Sequence, residues 1–437
     1  MQLPRHGQSH DQVLAALSAF RARDADWKSG RTFSLVYYGG EELLCLLRDA
    51  FWMYFSENAL NPQAFPSLRR FETEVLAMVA DLLGHPEAAG TMTSGGTESI
   101  LMAVKTARDW ARVHRPQATE PEMLLPATAH PAFHKAAHYF GVRAVLVPPG
   151  ADFRTDAAAA RALLNDQTIL VVGSAPSYPQ GVIDPITDLA ALAQEHGILC
   201  HVDACLGGML LPFLRKLGEP LPPFDFAIPG VTSMSCDLHK YGYAAKGASV
   251  ILYRDRALRQ FQFVAYSDWS GGLYGSPSAA GTRPGGPIAA AWAVLHYLGE
   301  EGYLRMAKAT IETARALLLG VDAIHGLRVL GQPDMSVFSF TSDDLDIYAL
   351  ADAMDARGWH LDRQQMPPSL HVMITAAHEG KVEEILTDLR AAVDEVRQTG
   401  PAQDGAAAMY GMLGTIPDRS QVREFILDFM DSLDREA

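Results

Sequence analysis

Three short segments carry side chains whose types and order point to covalent chemistry. The first, Thr93-Ser94-Gly95-Gly96-Thr97-Glu98-Ser99, runs into a helical pattern. Glycines let a backbone come close to a ligand, and the free N–H groups at a helix N-terminus attract phosphate. The segment is not a P-loop, because no Lys-Ser/Thr follows at the right offset, and it is not G-x-G-x-x-G. The second, His201-Val202-Asp203-Ala204-Cys205, ends an apolar run on a carboxylate. A carboxylate buried there needs a cationic partner, and a protonated pyridine nitrogen is one. The third, Ser235-Cys236-Asp237-Leu238-His239-Lys240, ends on a lysine. In a desolvated pocket a lysine loses its proton more easily and forms a Schiff base with a carbonyl. Taken singly, each has an ordinary reading: a Gly-Gly turn with Thr97 as N-cap, an Asp capping the next element, a surface Lys. Their order along the chain outweighs those readings. A phosphate turn, then a strand-terminal Asp, then a His-Lys pair are the parts of a pyridoxal phosphate site.

Two further sets belong with these. His130, His134 and His138 recur at i, i+4 and i+8. No carboxylate accompanies them and the pattern is not H-E-x-x-H, so no metal is expected. Pro131 favours a helix start. That places His130 at the helix N-terminus, where its ring suits stacking on a flat cofactor, and leaves His134 and His138 as ordinary helix residues. Lys246, and Arg283 within Ala280-Gly281-Thr282-Arg283-Pro284-Gly285-Gly286, are cations within reach of a ligand, and Tyr37 and Tyr38 lie in the N-terminal part of the chain. The guanidinium fork of Arg283 suits phosphate or carboxylate, or equally a surface acid.

These side chains need a scaffold. Apolar runs at Met123–Leu125, Arg143–Val147, Ile169–Ser174 and Ile198–Asp203 alternate with helical stretches from Pro131 and over Ile186–His196. That alternation predicts a parallel sheet with crossover helices, whose ligands bind at the strands' carboxyl ends. Helical spacing also marks Leu68–Leu83 and the stretch after Thr97, and Ala227–Ser233 and Ser249–Tyr253 read as short strands. A long helix is expected near Gly286–Gly299, strands near Met335–Phe340 and Leu370–Ile374, and a helix near Lys381–Val396. The expected division is an N-terminal arm over 1–65, a large cofactor-binding domain over 66–325 and a small C-terminal α+β domain over 326–437.

Composition agrees with a globular enzyme. The 437 residues are 48% hydrophobic and 20% charged, which is not the make-up of a disordered chain. A net charge of −15 argues against nucleic acid and anionic membranes as partners. It leaves room for a small anionic substrate, because a few cations in a cleft can outweigh the global sign. Cys45, Cys200, Cys205 and Cys236 form no C-x-x-C pair and read as reduced thiols. No signal peptide and no apolar span long enough for a bilayer is visible. A cytoplasmic location follows as an expectation.

The stretches TSGGTESILMAVKTARDWA, AHPAFHKAAHYFGV, HVDACLGGMLLPF, GVTSMSCDLHKYGYAAKGASVILY, SPSAAGTRPGGPIAAAWA and AAAMYGMLGTIPDR together resemble the sphingosine-1-phosphate lyases of the group II pyridoxal-phosphate decarboxylase superfamily. The resemblance runs from about Val36 to the end, and HVDACLGG and the segment after His239-Lys240 set it apart from ordinary amino-acid decarboxylases. It implies an α/β protein of fold type I, with a mostly parallel central sheet flanked by helices, working as a homodimer with shared active sites. By that resemblance Lys240 forms the Schiff base, and Gly96, Thr97 and His239 hold the cofactor phosphate. Asp203 pairs with the pyridine nitrogen, His130 stacks on the ring, and Ser174 touches its hydroxyl. Tyr37, Lys246 and Arg283 match the positions of substrate-phosphate ligands, some of them supplied by the partner subunit, and Asn61 falls at a further substrate-binding position.

The implied reaction cleaves the C2–C3 bond of a phosphorylated amino-alcohol lipid, giving a long-chain aldehyde and phosphoethanolamine. A base must take the C3 hydroxyl proton. Lys246 and Tyr37 are both candidates. Two departures stand out. Asn61 occupies the place of a family His in a Leu-His-Pro-Asp stretch, and it cannot carry charge. The membrane segment of anchored relatives is not seen, as in the soluble, bacterial-type members. The competing readings are an amino-acid decarboxylase on the same scaffold and a non-catalytic protein that keeps the fold.

Overall fold

The computed structural model describes residues 2–61, 63–400 and 405–433. Thirteen strands are formed among them: β1 Ala89–Thr93, β2 Glu122–Pro126, β3 Arg143–Val147, β4 Thr168–Ser174, β5 Leu199–Asp203, β6 Ser233–Cys236, β7 Ser249–Tyr253, β8 Val264–Trp269, β9 Gly272–Ser276, β10 Leu327–Val329, β11 Val337–Ser342, β12 Asp362–Gln365 and β13 Pro368–Met373. The first seven make one sheet in the order β1-β7-β6-β5-β4-β2-β3. Only β7 runs against the rest. Helices cover both faces, so the central strands must be apolar throughout. Met123, Leu124, Leu125 and Ile169 through Val172 are accordingly all buried. The result is an α/β fold with a mostly parallel central sheet.

A second apolar core forms around the antiparallel sheet β10-β11-β13-β12 and the helices Ile347–Asp355 and Val382–Thr399. The helix Gly285–Asp322 joins the two cores, with Gly299 outside helical geometry at φ 55°. It runs well past the Gly299 at which the sequence pattern ends. The N-terminal segment packs on the smaller unit. Thr32 bridges His360, and Phe33 stacks on His378 at 4.9 Å and on Trp359 at 6.0 Å. This contact carries Ser34–Tyr37 toward the large sheet.

The strand expected over Ala227–Ser233 begins only at Ser233. Pro229 cannot donate to a ladder, and a side chain at Gly230 would collide with the Ala190 carbonyl, so the stretch turns instead. Strands β1, β10 and β12 and the hairpin β8–β9 have no counterpart among the predicted elements. β1 is a short AGTMT run with little pattern, and all of β8 and most of β9 are solvent-exposed.

Candidate active site

The C-terminal ends of β1, β4, β5 and β6 open on one cavity of about 580 Å³. Strand β1 leads through Ser94 and Gly95 into the helix Gly96–His114. No side chain caps this helix N-terminus, and its first residues Gly96 and Thr97 line the cavity. Glu98 braces the turn: its carboxylate accepts from Ser94 N and Ser94 Oγ, both at 2.7 Å, and from Ala279 N at 2.9 Å. Gly96 must be glycine for want of space. A Cβ there would lie 2.7 Å from Cys205 Sγ and 2.8 Å from Asp237 Oδ2. Hydroxyls lock the surroundings, running from Thr93 Oγ1 to Ser99 Oγ at 2.6 Å and on to Ser249 Oγ at 2.9 Å.

Asp203 ends β5 and is buried. Its Oδ1 accepts from Cys205 N at 3.0 Å and Ser235 Oγ at 3.1 Å. Burial alone would raise its pKa; hydrogen bonds from Cys205 and the fields of His130 and Lys240 outweigh that, and the net shift is downward. It is an anion aimed at the sheet's mouth. Ser174 ends β4; its backbone N–H is held by Asp184 Oδ2 at 2.7 Å, while its hydroxyl is buried with no partner. His130 lies just before the helix Ala132–Phe140, where its Nδ1 accepts from Ala132 N at 3.2 Å. It lines the cavity, and His134 and His138 point to solvent instead. No group of three or more His, Cys, Asp or Glu suited to a metal occurs among the described residues.

After β6 the chain places Asp237, His239 and Lys240 around one carboxylate. Lys240 Nζ lies 2.9 Å and His239 Nε2 3.6 Å from Asp237 Oδ2, and Asp237 Oδ1 is buried without a partner. Burial by itself would lower the pKa of Lys240, but the charge of Asp237 outweighs it and the ammonium is stabilised. Lys246 stands at the rim, its Nζ 5.3 Å above the centre of the Tyr37 ring. Desolvation and repulsion by Lys240 both lower its pKa. Tyr37 turns its hydroxyl to Met373 Sδ at 2.7 Å, and burial followed by the field of Asp237 drives its pKa well up.

Of the residues singled out from sequence, Tyr37, Gly96, Thr97, His130, Ser174, Asp203, His239, Lys240 and Lys246 all line this one cavity. Arg283 and Asn61 do not. The Arg283 guanidinium is clamped on Glu72, with Nη1 2.5 Å from Oε1 and Nη2 3.0 Å from Oε2. Asn61 is exposed, and its Oδ1 accepts from Gln63 N at 2.9 Å.

Sequence reasoning assigned no role to Asp237, although its place three residues before Lys240 was a readable signal. It also missed Tyr178 and Asp362. Tyr178 donates to Asp362 Oδ2 at 2.8 Å and stacks on His371 with ring centres 4.0 Å apart. Asp362 and His371 come from the smaller unit, far along the chain, and no local pattern announces them.

The donor set fits pyridoxal phosphate. An uncapped helix end suits its phosphate, an anionic Asp203 its ring nitrogen and Lys240 its aldehyde. The unpartnered Ser174 hydroxyl and Asp237 oxygen are the kind of buried polar atoms that a polar ligand would satisfy.

Comparison with known proteins agrees. The family model described as "Pyridoxal-dependent decarboxylase conserved domain" matches residues 4–342. A sphingosine-1-phosphate lyase of Arabidopsis thaliana is 47% identical over 96% of this chain and 79% of its own length. A probable sphingosine-1-phosphate lyase of Legionella pneumophila is 34% identical over 86% of this chain and 64% of its own. The solved sphingosine-1-phosphate lyase of Burkholderia pseudomallei superposes with a TM-score of 0.91 at 40% identity, over 99% of this chain and 97% of that one. A glutamate decarboxylase of Lactobacillus brevis, at TM-score 0.80 and 20% identity over 91% and 95% of the two chains, shares the fold.

Proposed function

The chain belongs to the sphingosine-1-phosphate lyases within the pyridoxal-dependent decarboxylase family, and from that premise we propose the division of labour by which it cleaves the C2–C3 bond of a phosphorylated sphingoid base. Pyridoxal phosphate, when bound, supplies an aldehyde for amine condensation and a ring that takes up the electron pair of the broken bond. The protein's own groups do the rest. The N–H groups at Gly96 and Thr97, with His239, would hold the cofactor phosphate. Asp203 would pair with the ring nitrogen, His130 would lie against the ring and Ser174 would meet its hydroxyl. Lys240 Nζ would be the amine that holds the cofactor's aldehyde.

Of the two candidate bases, Lys246 is favoured. Lys246 is exposed at the cavity with its pKa shifted down by desolvation and by Lys240, whereas the raised pKa of Tyr37 keeps that phenol protonated. Tyr37 then acts as the aromatic seat of Lys246 and as a neighbour of the substrate's polar end. The observation that carries this reading is the pairing of two lysines of opposite electrostatic setting in one cavity, Lys240 on Asp237 and Lys246 over Tyr37.

The deciding experiment is incubation of the purified holoenzyme with dihydrosphingosine-1-phosphate. Release of a long-chain aldehyde and phosphoethanolamine is expected. Carbon dioxide release from an amino acid, with no aldehyde formed, would establish the decarboxylase reading instead. A protein that takes up no pyridoxal phosphate would be the non-catalytic one.

We further propose a homodimer in the cytoplasm. Trp52, Met53 and Phe55 and, on the hairpin, Trp269 and Leu273 leave broad apolar surface in the single chain. All four cysteines are free thiols, three of them buried, which suits a reducing compartment. No helix among the described residues is long and apolar enough to cross a membrane. Sedimentation at micromolar concentration tests the dimer; a monomer would refute it.

A further inference from the structure

His201 is a titratable side chain in the middle of the large sheet that the proposed chemistry does not use. It is fully buried and lies two residues before Asp203 on β5, so both project from the same face of the strand. The parallel pairing of β5 with β6 sets His201 against Ser233 and Asp203 against Ser235. The register alone therefore places two hydroxyls beside the imidazole. His201 Nδ1 is 2.9 Å from Ser233 Oγ, and Nε2 is 3.3 Å from Ser235 Oγ. Ser235 Oγ in turn donates to Asp203 Oδ1 at 3.1 Å.

Counting protons fixes the direction of this chain. A serine hydroxyl has one hydrogen, and that of Ser235 goes to Asp203. Its oxygen can then only accept from the imidazole, so Nε2 carries the hydrogen. Nδ1 is left as the acceptor for the Ser233 hydroxyl. Only a neutral imidazole can donate at one nitrogen and accept at the other. Burial holds the ring neutral, pushing its pKa down to about 4. The Phe133 ring lies edge-on against it, centre to centre 5.9 Å. Every dipole from Ser233 through His201 and Ser235 then points its positive end toward Asp203.

We propose that His201 is a positioning residue for the cofactor, holding Asp203 anionic and aimed at the ring nitrogen through the Ser235 hydroxyl. The arrangement differs from that of a polar core residue merely satisfying itself, because it ends on the carboxylate that faces the cavity. The proposal rests on the pyridoxal phosphate reading. That reading fails separately, as wild-type protein that binds no cofactor.

Two measurements test it. In cofactor-free wild-type protein labelled with ¹⁵N-histidine, His201 should show the Nε2–H tautomer; the Nδ1–H tautomer, or a protonated ring at neutral pH, overturns the proposal. The second is a cycle of His201→Phe, Ser235→Ala and the double variant, read by fluorescence titration of cofactor-free protein with pyridoxal phosphate. A hydrogen bond to a charged group suggests that Ser235→Ala weakens cofactor binding about tenfold. If His201 acts through Ser235, the double variant binds no more weakly than the poorer single, and Ser235→Thr restores affinity. Additive losses, or an affinity that Ser235→Ala leaves unchanged, would show that no such relay operates.

Discussion

Asp237 Oδ2 lies 2.9 Å from Lys240 Nζ, and the carboxylate more than cancels the effect of burial on that lysine. Before cofactor arrives, Lys240 is therefore an ammonium, yet only its neutral form can condense with an aldehyde. Capture of pyridoxal phosphate by the cofactor-free protein should accelerate as pH rises. Asp237→Asn removes the charge that holds the proton and leaves burial, which favours the neutral amine. The capture profile should move to lower pH by at least one unit, making capture about tenfold faster at a fixed pH below the midpoint. Stopped-flow absorbance after mixing with cofactor reads this directly. An unshifted profile would show that Asp237 does not control the proton on Lys240.

The setting of Lys246 leads to a prediction about pH and rate. A general base contributes typically 10²–10⁴-fold, so Lys246→Met should lower kcat by about that factor while cofactor binding stays intact. The neutral lysine is the active form. kcat/KM should therefore rise with pH through a pKa below the ordinary lysine value, as its surroundings dictate. Tyr37→Leu removes the ring beneath the ammonium. The ring's attraction for the ammonium is lost at a side chain already exposed, so the profile should shift to lower pH. Tyr37→Phe keeps the ring and should leave it in place. A profile indifferent to Tyr37→Leu would dissociate Lys246 from the proton transfer.

How far the site was readable depended on the range of the interactions. Gly96, Asp203 and Lys240 each end a strand or open a helix within a few residues of their own signal, and they meet because parallel strands end on one side of a sheet. Asp362 reaches the same cavity from β12, after the chain has crossed to a second core, and nothing near it in sequence says so. Arg283 shows the opposite case. Its fork suited a ligand or an acid equally, and only the packing of the helix Pro66–Leu82 against the loop reveals that Glu72 takes it within the chain. The exposed hairpin β8–β9 was illegible for a further reason: strands with both faces in solvent lack the buried stripe by which strands are recognised.

Arg283 and Glu72 supply a test of that reassignment. Both are largely buried, and Glu72 Oε1 also accepts from Met92 N at 2.9 Å. Removing one member of such a pair strands the other, at a cost of about 3–5 kcal/mol. Arg283→Ala and Glu72→Ala should each lower the melting temperature of the enzyme, with the double variant less affected than the sum of the two. KM for the phosphorylated substrate should stay near the wild-type value. A raised KM with an unchanged melting temperature would return Arg283 to the substrate.

Acid stability follows from the buried histidines. His371 Nε2 donates to the Tyr178 carbonyl at 2.9 Å, and its ring lies against that of Tyr178. Burial depresses its pKa to about 4, with nearby Asp362 opposing, and His201 is held at about 4 as well. An unfolded histidine titrates near 6.5, so between about pH 6.5 and pH 4 the unfolded chain binds protons that the folded one refuses. Stability contributed by each neutral ring is therefore full above that window and declines as pH falls through it, by up to roughly 3 kcal/mol per histidine. His371→Gln keeps a donor for the Tyr178 carbonyl but cannot take up a proton. It should be less stable than wild type at pH 7, having lost the ring stack, yet show a shallower fall in melting temperature from pH 7 to pH 4.5. Calorimetry across that range gives the comparison. Parallel curves for the two proteins would mean that His371 contributes nothing to the acid sensitivity of the fold.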